Sequence, residues 1–279
     1  MRHHPRRDPR HRASHPRHGT EGGERLSGSS PALSEAGIAP PAGAALPAGT
    51  LFVVATPIGN LEDITLRALR VLREADLVAA EDTRRTRALL QAYGVRAPLV
   101  SYFAHNQARR GPELLRRLQR GARIALVTDA GTPGVSDPGF QLVRLCRDAG
   151  VPVVPIPGAS ALVAALSAAG IPADRFIFEG FLPVKPGRRL TRLRELGALH
   201  RPVVLYESPH RLLATLEAIE TVFGGAEVVL AREVTKRFEE FRRGTAGGLR
   251  TALASEGVRG EVTLVVNPRE LALRGTPAD

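Results

Sequence analysis

The sequence is poor in the residues from which many proteins build their chemistry. It has a single cysteine, Cys146, so neither an internal disulfide framework nor a cysteine-clustered zinc site can form. Cys146 itself falls on the apolar face of a helical segment and reads as core. Tryptophan is absent, and three tyrosines and nine phenylalanines supply little of an aromatic platform for stacking free bases. No run of about 18 apolar residues occurs, which removes a membrane-spanning helix, and the first residues lack the apolar core of a secretory signal. A soluble cytoplasmic protein is the expectation. After residue 49 only His105, His200 and His210 remain, without metal-ligand spacing, so no metal is expected. The motifs G-x-G-x-x-G, G-x-x-x-x-G-K-[ST] and G-x-S-x-G are missing as well. Dinucleotide binding, P-loop hydrolysis and nucleophile-elbow chemistry are therefore unsupported.

What is abundant is arginine. Lysine and arginine number 39 against 28 acids, a formal net charge of +11, and a basic excess favours a polyanionic partner such as RNA. Residues 1–49 carry seven arginines, four acids and five of the eight histidines, with almost no bulky apolar residue before Leu33. Such a stretch cannot offset the entropy of ordering and is expected to be a disordered basic tail. His3, His4, His11, His15 and His18 could bind metal, but a dispensable extension is the simpler account. Residues 271–279 form a second tail.

Between the tails, short apolar runs alternate with helix-periodic segments. Leu51 to Ala55, Leu77 to Ala80, Pro98 to Tyr102, Ile124 to Val127 and Val151 to Val154 read as strands. Helices are expected after Asp63, from Arg84 to Tyr93, from Pro112 to Arg120, after Asp137 and from Ser160 to Ala169. Asp63 and Asp137 would act as N-caps, the latter with Pro138 at the first helical position. This alternation predicts an α/β fold with a mainly parallel, helix-covered sheet over 50–171. After Ile171 the strands Arg175 to Phe178, Val203 to Tyr206, Val228 to Leu230, Arg237 to Arg242 and Glu261 to Val266 have fewer crossovers. The helices here are Arg188 to Leu199, Pro209 to Val222 capped by Ser208, and a short one near Leu249 to Ala254. A mixed sheet in a second domain, 172–270, is expected. Loops at the carboxyl ends of the first domain's strands would then face an inter-domain cleft.

The loop Thr128 to Gly139, TDAGTPGVSDPG, has three glycines that let backbone approach a ligand closely. Carboxylates in such loops have plain duties as well. Glu81 and Asp82 could be solvated at a helix start, Glu207 could pair with Arg211, and Asp137 is assigned to its cap. Asp129 follows a buried strand without a capping duty and is expected to touch ligand.

Ala55-Thr56-Pro57-Ile58-Gly59-Asn60-Leu61-Glu62-Asp63, Ala80-Glu81-Asp82-Thr83-Arg84, the Asp129 to Gly139 loop, Pro157-Gly158-Ala159-Ser160-Ala161 and Tyr206-Glu207-Ser208-Pro209-His210-Arg211 occur in one order. This set, within Leu51 to Val266, resembles the small-subunit ribosomal RNA methyltransferase I family of the tetrapyrrole methylase superfamily. Departures are small: Thr128 stands where serine is usual, and Arg259-Gly260-Glu261 where Lys-Gly-Glu is usual. The resemblance implies a two-domain tetrapyrrole-methylase-like fold and a homodimer. It also implies S-adenosylmethionine as methyl donor, and the ribose 2′-hydroxyl of a decoding-centre cytidine in 16S ribosomal RNA, within the small ribosomal subunit, as acceptor. By motif, Pro57, Asp129, Gly131, Thr132, Pro133, Ser160 and Ala161 would line the donor pocket.

A ribose hydroxyl is a weak nucleophile, so a base or a charge-stabilising cation would help. Glu81, Asp82 and Glu207 are candidates for the base and Lys236 for the cation, with no choice among them possible from sequence. Arg84, Arg85, Lys185, Arg188 and Arg189 are candidates for phosphate contacts. Two alternatives stand beside this reading: a precorrin-type tetrapyrrole methylase, and a ribosome-assembly factor that binds RNA without catalysis.

Overall fold

The computed structural model describes residues 45–268; the first 44 residues of the expected basic tail, its histidines included, and the segment 271–279 lie outside them. Residues 45–49 belong to the body instead, because Leu46 buries its side chain at 7 % exposure and Gly49 N–H donates to Gly121 O at 2.9 Å.

The first sheet contains β1 (Leu51–Val54), β2 (Leu77–Ala80), β3 (Leu99–Ser101), β4 (Ile124–Val127) and β5 (Val153–Ile156), ordered β3-β2-β4-β1-β5 and parallel throughout. Its strands are nearly all apolar because both faces are covered. Val54, Val78, Ala80 and Val127 pack under α1 (Leu66–Glu74) and α2 (Thr83–Ala92). Leu51, Leu77, Ala79 and Leu126 turn the other way, against α3 (Gln107–Gln119) and α4 (Phe140–Asp148). Cys146 lies there, fully buried, as its place on the apolar face implied.

The second sheet is mixed. It contains β6 (Ile177–Phe181), β7 (Val203–Glu207), β8 (Glu227–Arg232), β9 (Glu240–Thr245) and β10 (Val262–Asn267), ordered β6-β7-β10-β8-β9, with only the β6–β7 pair parallel. One face packs on α6 (Pro186–Gly197), α7 (Leu212–Phe223) and α8 (Ala246–Glu256). The other face is covered by α5 (Ala161–Ala168), whose Ala165 and Leu166 meet Val204, Val229 and Val265. α5 begins at the end of the first sheet and packs on the second, which fixes one sheet against the other within a single compact unit.

Several helix starts differ from expectation. α1 is capped by Thr65, whose hydroxyl accepts from Ala68 N–H at 3.1 Å, while Asp63 ends a short 3-10 turn, Leu61–Asp63. α3 begins at Gln107 and carries Pro112 inside it. α7 begins at Leu212 after Arg211, so Ser208 caps nothing. α4 begins after Gly139, at φ +143, and Asp137 does not cap it. The proline after Asp137 imitates a helix start, but the chain needs two further residues of loop before it can turn into α4.

Candidate active site

β4, β1 and β5 are neighbours in the first sheet, so the loops at their carboxyl ends are brought side by side. Two backbone hydrogen bonds, Thr56 N–H to Gly131 O at 2.9 Å and Gly131 N–H to Thr56 O at 3.0 Å, fasten the first loop to the second. The Thr56 hydroxyl adds a bond to Thr128 O at 3.2 Å. Gly158 holds the third loop close: a Cβ there would stand 3.0 Å from Ala55 Cβ. Across from them lie the ends of β7 and β8 and the start of β10. Tyr206 joins the two sides, its hydroxyl accepting from Leu162 N–H in α5 at 3.1 Å.

Two adjoining cavities fill the cleft. The first, of about 210 Å³, is lined by Gly131, Thr132, Asp137, Ser160 and Ala161 from one side and by Tyr206, Glu207, Ala231 and Thr263 from the other. The second, of about 380 Å³, is lined by Pro57, Gly59, Arg85, Thr128, Asp129 and Lys236. Ile58, Ala130 and Glu261 line both. Lys236 reaches the second cavity by lying directly over Gly59, where a Cβ would come within 2.4 Å of its Cγ.

This cleft sits in a chain with well-matched relatives. The tetrapyrrole (corrin/porphyrin) methylase family matches residues 50–250. Ribosomal RNA small subunit methyltransferase I of Pseudomonas aeruginosa is 53 % identical over 222 residues, covering 78 % of this chain and 79 % of that one. The protein of the same name from Mesorhizobium japonicum is 51 % identical over 231 residues, covering 82 % and 78 %. The chain belongs to this methyltransferase family. Among solved structures, a uroporphyrin-III C-methyltransferase from Thermus thermophilus, complexed with S-adenosylhomocysteine, has TM-score 0.55 at 20 % identity. It covers 80 % of this chain and 99 % of that one, and the likeness is one of fold.

The methyltransferase's candidate residues separate by environment. Glu207, 3 % exposed, is fully occupied: Ser208 N–H and Thr215 Oγ1 donate to its two oxygens at 2.8 and 2.5 Å, and Arg211 Nε lies 3.4 Å away. Such a carboxylate is a structural anchor for the start of α7 rather than a free base. Asp82 caps α2, accepting from Arg84 N–H at 2.8 Å, and the Arg84 guanidinium beside it holds its carboxyl down at about 2. A carboxylate so acidic is a poor proton acceptor. Glu81 is different: burial raises its pKa, with Asp129 and Asp82 adding to the rise and Asp129 N–H, at 3.4 Å, opposing it.

Asp129 has a holding duty that its position after β4 did not suggest. Its oxygens accept from Asp82 N–H at 3.1 Å and pair with Arg85 at 3.2 Å, which ties the β4 loop to the start of α2. Lys236 Nζ sits between Glu233 and Glu261, 2.9 Å from each, on a loop where Glu233 and Thr235 both have positive φ. Such backbone strain concentrates at working sites.

Among the arginines, Arg85 keeps an exposed guanidinium at the second cavity, Arg84 is exposed beside Asp82 at the start of α2, and Lys185 and Arg188 are exposed at the start of α6. Arg189 is not available for phosphate. It is 5 % exposed and donates to the carbonyls of Pro183 and Val184, shaping the turn that precedes α6. Pro133 lies in the same loop as Gly131 without lining either cavity.

One residue was missed from sequence. Asp137, assigned to a helix cap, faces the first cavity, where burial and the nearby Glu81 and Asp129 push its carboxyl up to about 6. The only signal for it was negative: a Gly at 139 rather than a helix-favouring residue two positions after the supposed cap.

Proposed function

We propose that this methyltransferase moves a methyl group from S-adenosylmethionine to the 2′-hydroxyl of a decoding-centre cytidine in 16S ribosomal RNA. The observation that carries this is the pair of adjoining cavities: one is walled by small-residue loops, the other by Lys236 and the arginine-bearing start of α2. It stands in a chain about half identical to named ribosomal RNA methyltransferases. Gly131, Thr132, Ser160 and Ala161 would hold the donor with backbone groups and short side chains, and Pro57 and Asp129 would close its far side.

The donor's sulfonium supplies a methyl group that leaves without help from a metal. What the chain adds is alignment of the methyl carbon with the acceptor oxygen and exclusion of water. Glu81, the carboxylate whose proton affinity is raised, takes the hydroxyl proton; Lys236 offsets the charge that develops on the oxygen. Asp82 and Glu207 keep these groups in place. Arg84, Arg85, Lys185 and Arg188 hold phosphates around the target nucleotide. The same proposal places the protein in the cytoplasm as a homodimer of two-domain subunits, divided near Ile171, acting on an assembled subunit whose RNA shape it reads.

Incubation with labelled S-adenosylmethionine and small ribosomal subunits, protein-free 16S RNA or a precorrin tests this. Label confined to the subunits, on one ribose, is the expected result. Label in the precorrin, or on a base, contradicts it. No binding of donor at all would favour a non-catalytic assembly factor.

A further inference from the structure

We infer that Asp137 is the counter-charge for the cationic methionine portion of the donor, and that donor binding drives a proton off this carboxyl, an inference that rests on the donor reading above. The first cavity is lined by three carboxylates, Asp137, Glu207 and Glu261, and by no lysine, arginine or histidine. Two of the three are neutralised from outside. Glu207 accepts from Ser208 N–H and Thr215 Oγ1 and has Arg211 Nε 3.4 Å away as its counter-charge, and Glu261 receives Lys236 Nζ at 2.9 Å. Asp137 pairs with no cation among the described residues.

The groups facing Asp137 from neighbouring elements do not supply one. Glu81 approaches from the start of α2 and Asp129 from the β4 loop, and each disfavours a further negative charge, while the Tyr206 phenol on β7 is itself kept protonated and brings no positive charge. Arg85 is committed to Asp129. Thr128, 2 % exposed, is the one neighbour that favours ionised Asp137, through its side-chain hydroxyl. The carboxyl is held in this position by its own loop. Ser136 sits at φ +61 with its hydroxyl so close to β6 that a Cβ on Gly180 would lie 2.7 Å away.

A half-buried carboxylate among acids is unfavourable alone and favourable beside a cation. Phosphate-bearing ligands meet repulsion in such a cavity, whereas a ligand with a permanent positive charge, as a sulfonium carries, finds the missing partner. The binding-competent form is the ionised one. Because the free carboxyl titrates at about 6, donor affinity is level above roughly pH 7 and falls towards about tenfold per pH unit below it.

Titration calorimetry of the full chain with S-adenosylmethionine, from about pH 5 to pH 8 in two buffers of different ionisation enthalpy, tests this without any substitution. Release of about half a proton near pH 6 and of none near pH 8 is expected. Asp137→Asn should bind the donor at least about tenfold more weakly at pH 7.5, with an affinity that no longer varies with pH. PH-independent binding by the wild type, or a wild-type pH dependence surviving in the variant, overturns the inference and leaves the donor site standing. Absence of binding by the wild type at every pH removes the donor site itself.

Discussion

Three carboxylates, two between β2 and α2 and one at the end of β7, show how neighbours set a residue's role. Asp82 beside Arg84 is acidic and serves as a cap; Glu207, saturated by donors, is an anchor; Glu81, half-buried against Asp129, keeps a raised affinity for protons. Glu81→Gln is therefore expected to lower kcat by about 10²–10⁴-fold with little change in donor affinity. Single-turnover methyl transfer beside calorimetry separates the two effects, and a variant with normal kcat would remove Glu81 from the chemistry. Asp137 makes an opposite prediction for stability. Unfolded, it titrates near the ordinary 3.8; folded, at about 6, so between those values the folded state keeps a proton that the unfolded state has lost. Stability contributed at this position declines as pH rises through that window, and above it the full cost, on the order of 3 kcal/mol, is present. Asp137→Asn should accordingly stabilise the donor-free protein to urea at pH 7.5 and leave it near wild type at about pH 4. Lower stability at pH 7.5 would contradict the placement of this carboxyl.

At the scale of elements, the site depends on loops that are held rather than loose. Gly139 turns the chain into α4 at φ +143, and a Cβ there would come 3.1 Å from Gly134 N and 3.3 Å from Leu126 Cδ2. Gly139→Ala is expected to cost about 1–3 kcal/mol in unfolding free energy and to weaken donor binding by displacing the Asp137 loop. Thr215→Val removes one donor from the buried Glu207 and should cost about 1–3 kcal/mol, read by the same urea titration. Much of this layer was legible in the sequence. Leu77–Ala80 and Ile124–Val127 are strands to the residue, because a parallel strand covered on both faces must be apolar throughout. Caps were less legible. Asp63 and Ser208 have the right chemistry, but Thr65 takes the first duty, and the second helix simply starts later, at Leu212. Asp137-Pro138 has the look of a cap because a side chain drawn into a cavity leaves the same local pattern as one that turns back on its helix. Most residues of the loops named from the sequence do line the two cavities: Pro57 and Asp129 the second, and Gly131, Thr132, Ser160 and Ala161 the first. That Lys236 lies across Gly59, and that Arg189 is buried in its own turn, follows only from how the two sheets meet.

At the scale of the whole molecule, α5 is the joint: it leaves the first sheet at the Pro157 to Ser160 loop and covers the second, so the cleft walls are set by one helix's packing. The chain is basic, and about +8 of its +11 follows residue 49, since the first 49 residues hold seven arginines and four acids. Association with ribosomal subunits is expected to weaken steeply with salt, by counterion release. Arg188→Glu should reduce subunit binding and flatten that salt dependence while donor affinity stays at the wild-type value; filter binding across a salt series, with calorimetry, reads both. The decisive measurement is the methylation state of small-subunit RNA from cells with and without this gene, read nucleotide by nucleotide. One ribose 2′-O-methyl on a decoding-centre cytidine, lost with the gene and restored by the wild-type protein but not by Glu81→Gln, is the predicted result. An unchanged ribose pattern in cells without the gene would contradict it.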